Sequence, residues 1–291
     1  MTGERGAPDT LGTLLGELSA GLESAGVVQA RDEARDIVAA VLDVPRFWPS
    51  TNRDARIDAT AAEEARRAAA ARARGAPFAY AVGRAAFRHL TLAVDPRVLI
   101  PRQETEVLVD LVLTAEAGGS GTVVDVGTGS GAIALALATE GRFDRVIATD
   151  VSRDAIDVAR QNALFLRDDL VAPVDFLHGS LLAPLAGVHA RVVVSNPPYI
   201  AFAELDELPA SVRDWEPPLS LVSGDEGLAV TRAIIRDAVT VLEPGGLIAL
   251  EVDTRRASLV AEAMSANGRY GDVAVHLDLT GRERFVLARR R

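Results

Sequence analysis

The chain has 291 residues, a formal net charge of −10 and no cysteine, so disulfides, thiolate metal sites and cysteine nucleophiles are excluded. With 48% hydrophobic and 25% charged residues it has the composition of a globular protein with a sizeable core, in one large domain or two smaller ones. The acidic balance argues against a nonspecific nucleic-acid binder. No run approaches the roughly 18 apolar residues of a membrane span, and the opening MTGERGAPDT lacks the apolar core of a signal peptide; a cytoplasmic protein is expected.

Residues 1–75 read as a small helical bundle. Leu11, Leu14, Leu15, Leu18 and Leu22 fall on one helical face, as do Ala34, Ile37, Val38, Val41 and Leu42 ahead of Pro45. Thr60 and Glu63 have capping-box spacing before an alanine-rich helix that Gly75 can close. Residues 76–100 alternate apolar positions at Leu90, Leu92 and Val94, with a turn signal at Asp95-Pro96. They predict a hairpin connecting two domains. From 101 to 291, helix and strand patterns alternate: strands at TVVDVG, RVIATD, VDFLHGS and RVVVSN, then the turn EPGG ahead of LIALEV, and a closing pair VAVHLDL and RFVLARR. Repeated β-α units predict an α/β fold with a parallel sheet covered on both faces.

Two stretches carry chemistry. In VVDVGTGSGAIALALA a buried strand ends at Asp125-Val126, a turn with Gly127, Gly129 and Gly131 follows, and a helix begins. Such a turn brings backbone close to a ligand at the end of the first strand. The next strand ends in Asp150, whose carboxylate can accept both hydroxyls of a ribose. The spacing departs from the dinucleotide fingerprint and suits a nucleoside ligand without a pyrophosphate, such as S-adenosylmethionine. The bland alternative is a tight connection. The second stretch, Asn196-Pro197-Pro198-Tyr199, ends the strand RVVVS. An Asn side-chain carbonyl and proline backbone carbonyls with no competing N–H form an acceptor set for a planar –NH2 nitrogen. Tyr199 offers a flat face to the group that bears it. Here too the bland alternative is a strand-ending turn.

Over most of its length the chain resembles the release-factor glutamine methyltransferases, the HemK or PrmC family. The resemblance rests on AYAVGRAAFRHLTLAVDPRVLIPRQETEVLVDLVL, VVDVGTGSGAIALALA, ATDVSRDAIDVARQNA, VVVSNPPYI, WEPPLSLVSGDEGL and LEPGGLIALEV, in family order. It implies a Rossmann-like class I S-adenosylmethionine-dependent methyltransferase domain (residues 101–291), a β-hairpin connector (76–100) and a helical N-terminal domain that binds the partner (1–75). It further implies methyl transfer to the side-chain amide of the glutamine in the Gly-Gly-Gln motif of class I peptide-chain release factors. By position, the family's cofactor residues fall on Gly127, Thr128, Gly129, Ser130, Gly131, Asp150 and Asn196, with Leu181 against the adenine. Its amide-holding residues fall on Asn196, Pro197, Pro198 and Tyr199. Gln103, Ser180 and Asp253 depart from the family pattern.

Two other readings remain open at this point: an amino methyltransferase acting on adenine or guanine of nucleic acid, and a non-catalytic module that keeps the fold. The expectations are no direct nucleic-acid partner, no membrane, a monomer and no metal, since His89, His178, His189 and His276 lack ligand spacing. Asp125 is expected to shape the glycine loop rather than touch the cofactor. Glu104 and Glu106 are read as bracing residues, Trp215-Glu216-Pro217 as a cover for the pocket, and Glu251 as a solvated strand edge.

Overall fold

A computed structural model describes residues 10–291; the expectations for residues 1–9 lie outside the described residues. The chain divides into two compact units, one running through Gly83 with Ala210–Trp215 added, the other formed by Arg84–Pro209 and Glu216–Arg291.

In the first unit, α1 (Leu11–Ser24), α2 (Ala30–Leu42), α3 (Ala59–Ala73) and the short α4 (Phe78–Val82) follow one another. The leucine face of α1 is buried with Ala34, Ile37 and Val38 of α2 and with Ala62, Ala65, Ala68 and Ala69 of α3. Small side chains on α3 let the helices approach closely. The capping-box spacing of Thr60 and Glu63 is not used. Asp58, in extended backbone, instead accepts hydrogen bonds from the Thr60 and Ala61 amides at 2.9 and 3.2 Å, which places Thr60 inside the first turn rather than at the cap.

The second unit opens on a hairpin of β1 (Arg84–Phe87) and β2 (Leu90–Ala93). Its turn is at Arg88-His89, not at Asp95-Pro96 as the sequence suggests. Arg88 adopts a φ of 53° with its guanidinium held by Glu140 at 2.6 Å and Asp110 at 2.8 Å. Asp95 does form a turn, accepting from Val98 N at 3.1 Å, but in the loop leading to α5 (Gln103–Ala115).

Then come β3 (Thr122–Val126), α6 (Ala132–Glu140), β4 (Arg145–Asp150), α7 (Arg153–Phe165), β5 (Val174–His178), β6 (Ala190–Ser195), α8 (Ala229–Val241), β7 (Leu242–Glu251), α9 (Ala257–Ala266), β8 (Tyr270–Leu277) and β9 (Glu283–Arg290). Among the described residues these strands form a seven-stranded sheet in the order β5-β4-β3-β6-β7-β9-β8. Strands β5 to β7 are parallel, and β9 runs antiparallel to both of its neighbours. The EPGG stretch does not interrupt β7; Glu243–Gly246 bulge between the pairs Ala190↔Leu242 and Val192↔Leu247.

Alternating strand residues feed two cores. Val123, Val192 and Val194 pack with α5, α6 and α7 on one face. Val124, Val126 and Val193 pack with α8 and α9 on the other. The near-continuous apolar runs of β3 and β6 follow from burial on both faces. After β3 the chain proceeds to one side through β4 and β5, and returns to the other side through β6 and β7. The crevice beyond the carboxyl ends of β3 and β6 is the topological switch point, where open α/β sheets place their ligands.

Candidate active site

Both chemistry-bearing stretches begin at this switch point, because β3 and β6 are hydrogen-bonded neighbours in the register Val123↔Val192, Val124↔Val193 and Asp125↔Val194. The buried Ser195 hydroxyl donates to the Val126 carbonyl at 2.6 Å, which locks the two strand ends side by side.

After Val126 the chain turns through Gly127, Gly129 and Gly131, all at positive φ. Asp125 is fully buried beneath this turn and shapes it. Its Oδ2 accepts from the Thr128 hydroxyl at 2.7 Å and from Ala134 N at 3.2 Å. Burial pushes the Asp125 carboxyl up to about 7, against the pull of these two donors. The amides of Gly127 and Thr128 donate to the Thr149 carbonyl, which ties the turn to β4. At the end of β4, Asp150 accepts from Gly129 N at 2.9 Å through Oδ2 and from Ser152 N at 2.8 Å through Oδ1. Each oxygen keeps a lone pair for a further donor. Burial raises the Asp150 carboxyl, while those amide donors favour its charged form.

A cleft of about 930 Å³, open mouth included, is lined by Gly127, Gly129, Asp150, Leu181, Asn196, Pro197 and Pro198 among others. Val98, Leu219 and Ile234 add apolar wall. Leu181 adopts a φ of 48° and its carbonyl accepts from the Thr149 hydroxyl at 2.9 Å. The cleft thus joins the glycine turn, Asp150 and the Asn-Pro-Pro segment in one space. Thr128, Ser130 and Gly131 are not among its lining residues: Thr128 is spent on Asp125, the Ser130 carbonyl accepts from Asn162, and Gly131 caps α6. Tyr199 also stands outside the lining. Burial and the nearby Glu251 push its phenol up to about 12, so it stays neutral at ordinary pH.

Asn196 donates through Nδ2 to the Thr105 hydroxyl at 3.1 Å, and Thr105 donates to Glu251 Oε2 at 2.7 Å. Glu251 is therefore not a solvated edge; it is 1% exposed. It ends β7 opposite Phe285 of β9, and the antiparallel β9 covers the position. Behind the Asn-Pro-Pro segment, Ile200 exchanges backbone bonds with Leu221 and Ser223. Glu216 is buried and anchors Arg102 at 2.5 Å; Pro217 lines the cleft, while Trp215 falls in the helical unit. Of the departures, Gln103 is the exposed first residue of α5. Asp253 accepts from Arg255 N at 2.9 Å and pairs with Arg255 and Arg256.

Two family models match, the PrmC N-terminal domain over residues 13–83 and the Methyltransferase small domain over residues 103–208. A release factor glutamine methyltransferase from Moorella thermoacetica is 41% identical over 283 residues, covering 97% of this chain and 99% of that one. The chain belongs to the release factor glutamine methyltransferase family. Another member, from Mycolicibacterium smegmatis, is 40% identical over 280 residues and covers 96% of this chain and 98% of its own length. The fold of the second unit is the Rossmann-like class I methyltransferase fold. A methyltransferase structure from Pyrococcus furiosus matches it with a TM-score of 0.53 at 19% identity, covering 70% of this chain and 90% of that one.

Within this glutamine methyltransferase framework, sequence reading missed the link from Asn196 through Thr105 to Glu251. Thr105 lies inside the LIPRQETE block that carried the family resemblance, so the signal was present as a motif without a role. Among the described residues no helix is long and apolar enough to cross a membrane, and no group of three His, Cys, Asp or Glu residues could hold a metal ion.

Proposed function

We propose that the protein transfers a methyl group from S-adenosylmethionine to the side-chain amide nitrogen of the glutamine in the Gly-Gly-Gln motif of class I release factors. The observation that carries this reading is the single cleft shared by the glycine turn, Asp150 and the Asn-Pro-Pro segment.

The residues present fit the cofactor. Nothing stands within 4 Å of where a Cβ would sit on Gly127 or Gly129, so bare backbone borders open space, which a side chain there would fill. Asp150, oriented by Gly129 and Ser152, has lone pairs left for ribose hydroxyls. Gly127, Gly129, Asp150 and Leu181 would hold the nucleoside end; Thr128, Ser130 and Gly131 maintain the turn. Bound S-adenosylmethionine supplies a methyl on a sulfonium sulfur, already activated for transfer to nitrogen.

The protein's task is then placement. The Asn196 amide spends an N–H on Thr105, which leaves its carbonyl oxygen as an acceptor beside the cleft. That oxygen and the Pro197 carbonyl receive the two N–H donors of the glutamine amide. They fix its plane and support electron density on its nitrogen. Orientation of this kind is worth roughly 7–11 kcal/mol. The neutral Tyr199 phenol does not serve as a base, and Asp150 is engaged with backbone amides. The nitrogen's proton leaves to water after transfer.

The division of labour follows the family. The helical region serves partner binding, the hairpin connects, and the remainder is catalytic. The protein acts as a monomer in the cytoplasm, where release factors work. The test is transfer of labelled methyl from S-adenosylmethionine to a release factor from the same organism, and to a variant of that factor with alanine in place of the motif glutamine. Label in the first and none in the second is expected. Equal labelling of both would refute the assignment.

A further inference from the structure

Amide oxygen and amide –NH2 are nearly the same size, so an asparagine that must present its oxygen to a substrate needs something to decide which way round it sits. The buried chain from Asn196 through Thr105 to Glu251 has the polarity to do so. A carboxylate has only lone pairs. The one proton of the Thr105 hydroxyl therefore goes to Glu251 Oε2, at 2.7 Å. The hydroxyl then turns lone pairs toward Asn196, and only the –NH2 end of that amide can face them, at 3.1 Å. Turned over, Asn196 would set oxygen against oxygen at Thr105. It would also offer N–H donors to a substrate amide that is itself a donor.

We infer that Thr105 and Glu251 are positioning residues that fix which end of the Asn196 amide meets the substrate. The inference deepens the proposed transfer to a glutamine amide and rests on that reading. Neither residue lines the cleft; both act through Asn196. Thr105 is 5% exposed and Glu251 1%, so the bond between them is shielded from water.

The polarity depends on the charge of Glu251. A protonated Glu251 can donate to Thr105, which then donates onward and calls for the oxygen end of Asn196. The charged and titratable groups facing Glu251 are Arg102 and Glu104 where α5 begins, Arg284 on β9, and Tyr199 beyond the Asn-Pro-Pro segment. Burial is the largest influence, and it pushes Glu251 up to about 7, with Glu104 adding to it and Thr105, Arg284 and Arg102 opposing. The methyl-transfer rate of the wild type should therefore rise with pH as Glu251 loses its proton, at about 7.

The test uses the full chain, S-adenosylmethionine and a release factor in single-turnover reactions. Thr105→Val should lower the transfer rate on the order of 100-fold while cofactor affinity changes by less than about two-fold, and Thr105→Ser should recover most of the loss. Glu251→Gln should flatten the rise of rate with pH. Wild-type rate in Thr105→Val, equal impairment in Thr105→Val and Thr105→Ser, or an unchanged pH profile in Glu251→Gln would overturn the inference. If Thr105→Val does not fold, Thr105→Ser and the Glu251→Gln profile decide it. A wild type that leaves the release factor unmethylated refutes the functional reading itself, and the inference falls with it. An active wild type matched by Thr105→Val refutes the inference alone.

Discussion

Gly227 bears on the site through an atom it does not have. Its φ is 88°, and a Cβ added there would come within 2.3 Å of the Tyr199 carbonyl oxygen and 2.8 Å of Arg256 Nε. The two preceding residues, Asp225 and Glu226, are also left-handed, and Arg256 holds this turn by donating to the Glu226 carbonyl at 2.6 Å. The turn backs the loop that carries Asn196 and its prolines. Gly227→Ala should therefore lower stability by about 1–3 kcal/mol from overpacking alone, with backbone strain adding to it. Methyl transfer should suffer more than cofactor binding, because the glycine turn lies on other strands. Denaturant unfolding checks the first part, and methyl-transfer rates beside cofactor titration check the second; an alanine variant as stable as wild type would show that the loop yields freely.

At the scale of elements, helices with a leucine or valine stripe and strands ending at the glycine turn and at Asn196 were legible, because periodicity and burial agree there. The buried leucines of α1 are those the spacing predicts. Legibility failed where a local signal had a rival. Asp95-Pro96 is a turn, yet the hairpin turns at Arg88, where ion pairs from α5 and α6 hold a left-handed residue without glycine. EPGG reads as a break, but pairing with β6 carries β7 across it. The glycine turn, Asp150 and Asn-Pro-Pro were readable as candidates because backbone geometry dictates those residue types, and all three border one cleft. Thr105 and Glu251 were not, because their partnership joins α5 to the end of β7, and only the folded sheet brings those ends together. Glu251 looked solvated because nothing in its own strand shows that β9 will cover it.

For the molecule as a whole, two buried carboxyls set a pH dependence. Burial raises Asp125 from 3.8 and Glu251 from 4.5, each to about 7. Between those ordinary values and about 7, the folded state keeps protons that the unfolded chain has released. Stability therefore falls as pH rises through that window and levels off above it. Carboxyls lowered by arginine partners, such as Asp36 and Asp95, act at lower pH and leave this slope unchanged. Urea unfolding should give lower stability at about pH 8 than at about pH 5, with a shallower slope in Glu251→Gln. A rise over the same interval, or an identical slope in the variant, would mean that these carboxyls do not keep their protons in the fold. The ionisation that orients Asn196 is thus one that costs the fold stability, a conflict expected where a group is kept for function.

Methyl transfer to glutamine is best read by mass spectrometry of the Gly-Gly-Gln peptide of a release factor, after incubation with S-adenosylmethionine and either the wild-type chain or Asn196→Ala. One added methyl on the glutamine is expected with the wild type, and a rate lower by on the order of 100-fold in the variant at saturating cofactor. An unmodified glutamine in the presence of wild-type protein and bound cofactor, or equal methylation by Asn196→Ala, would contradict this mechanism.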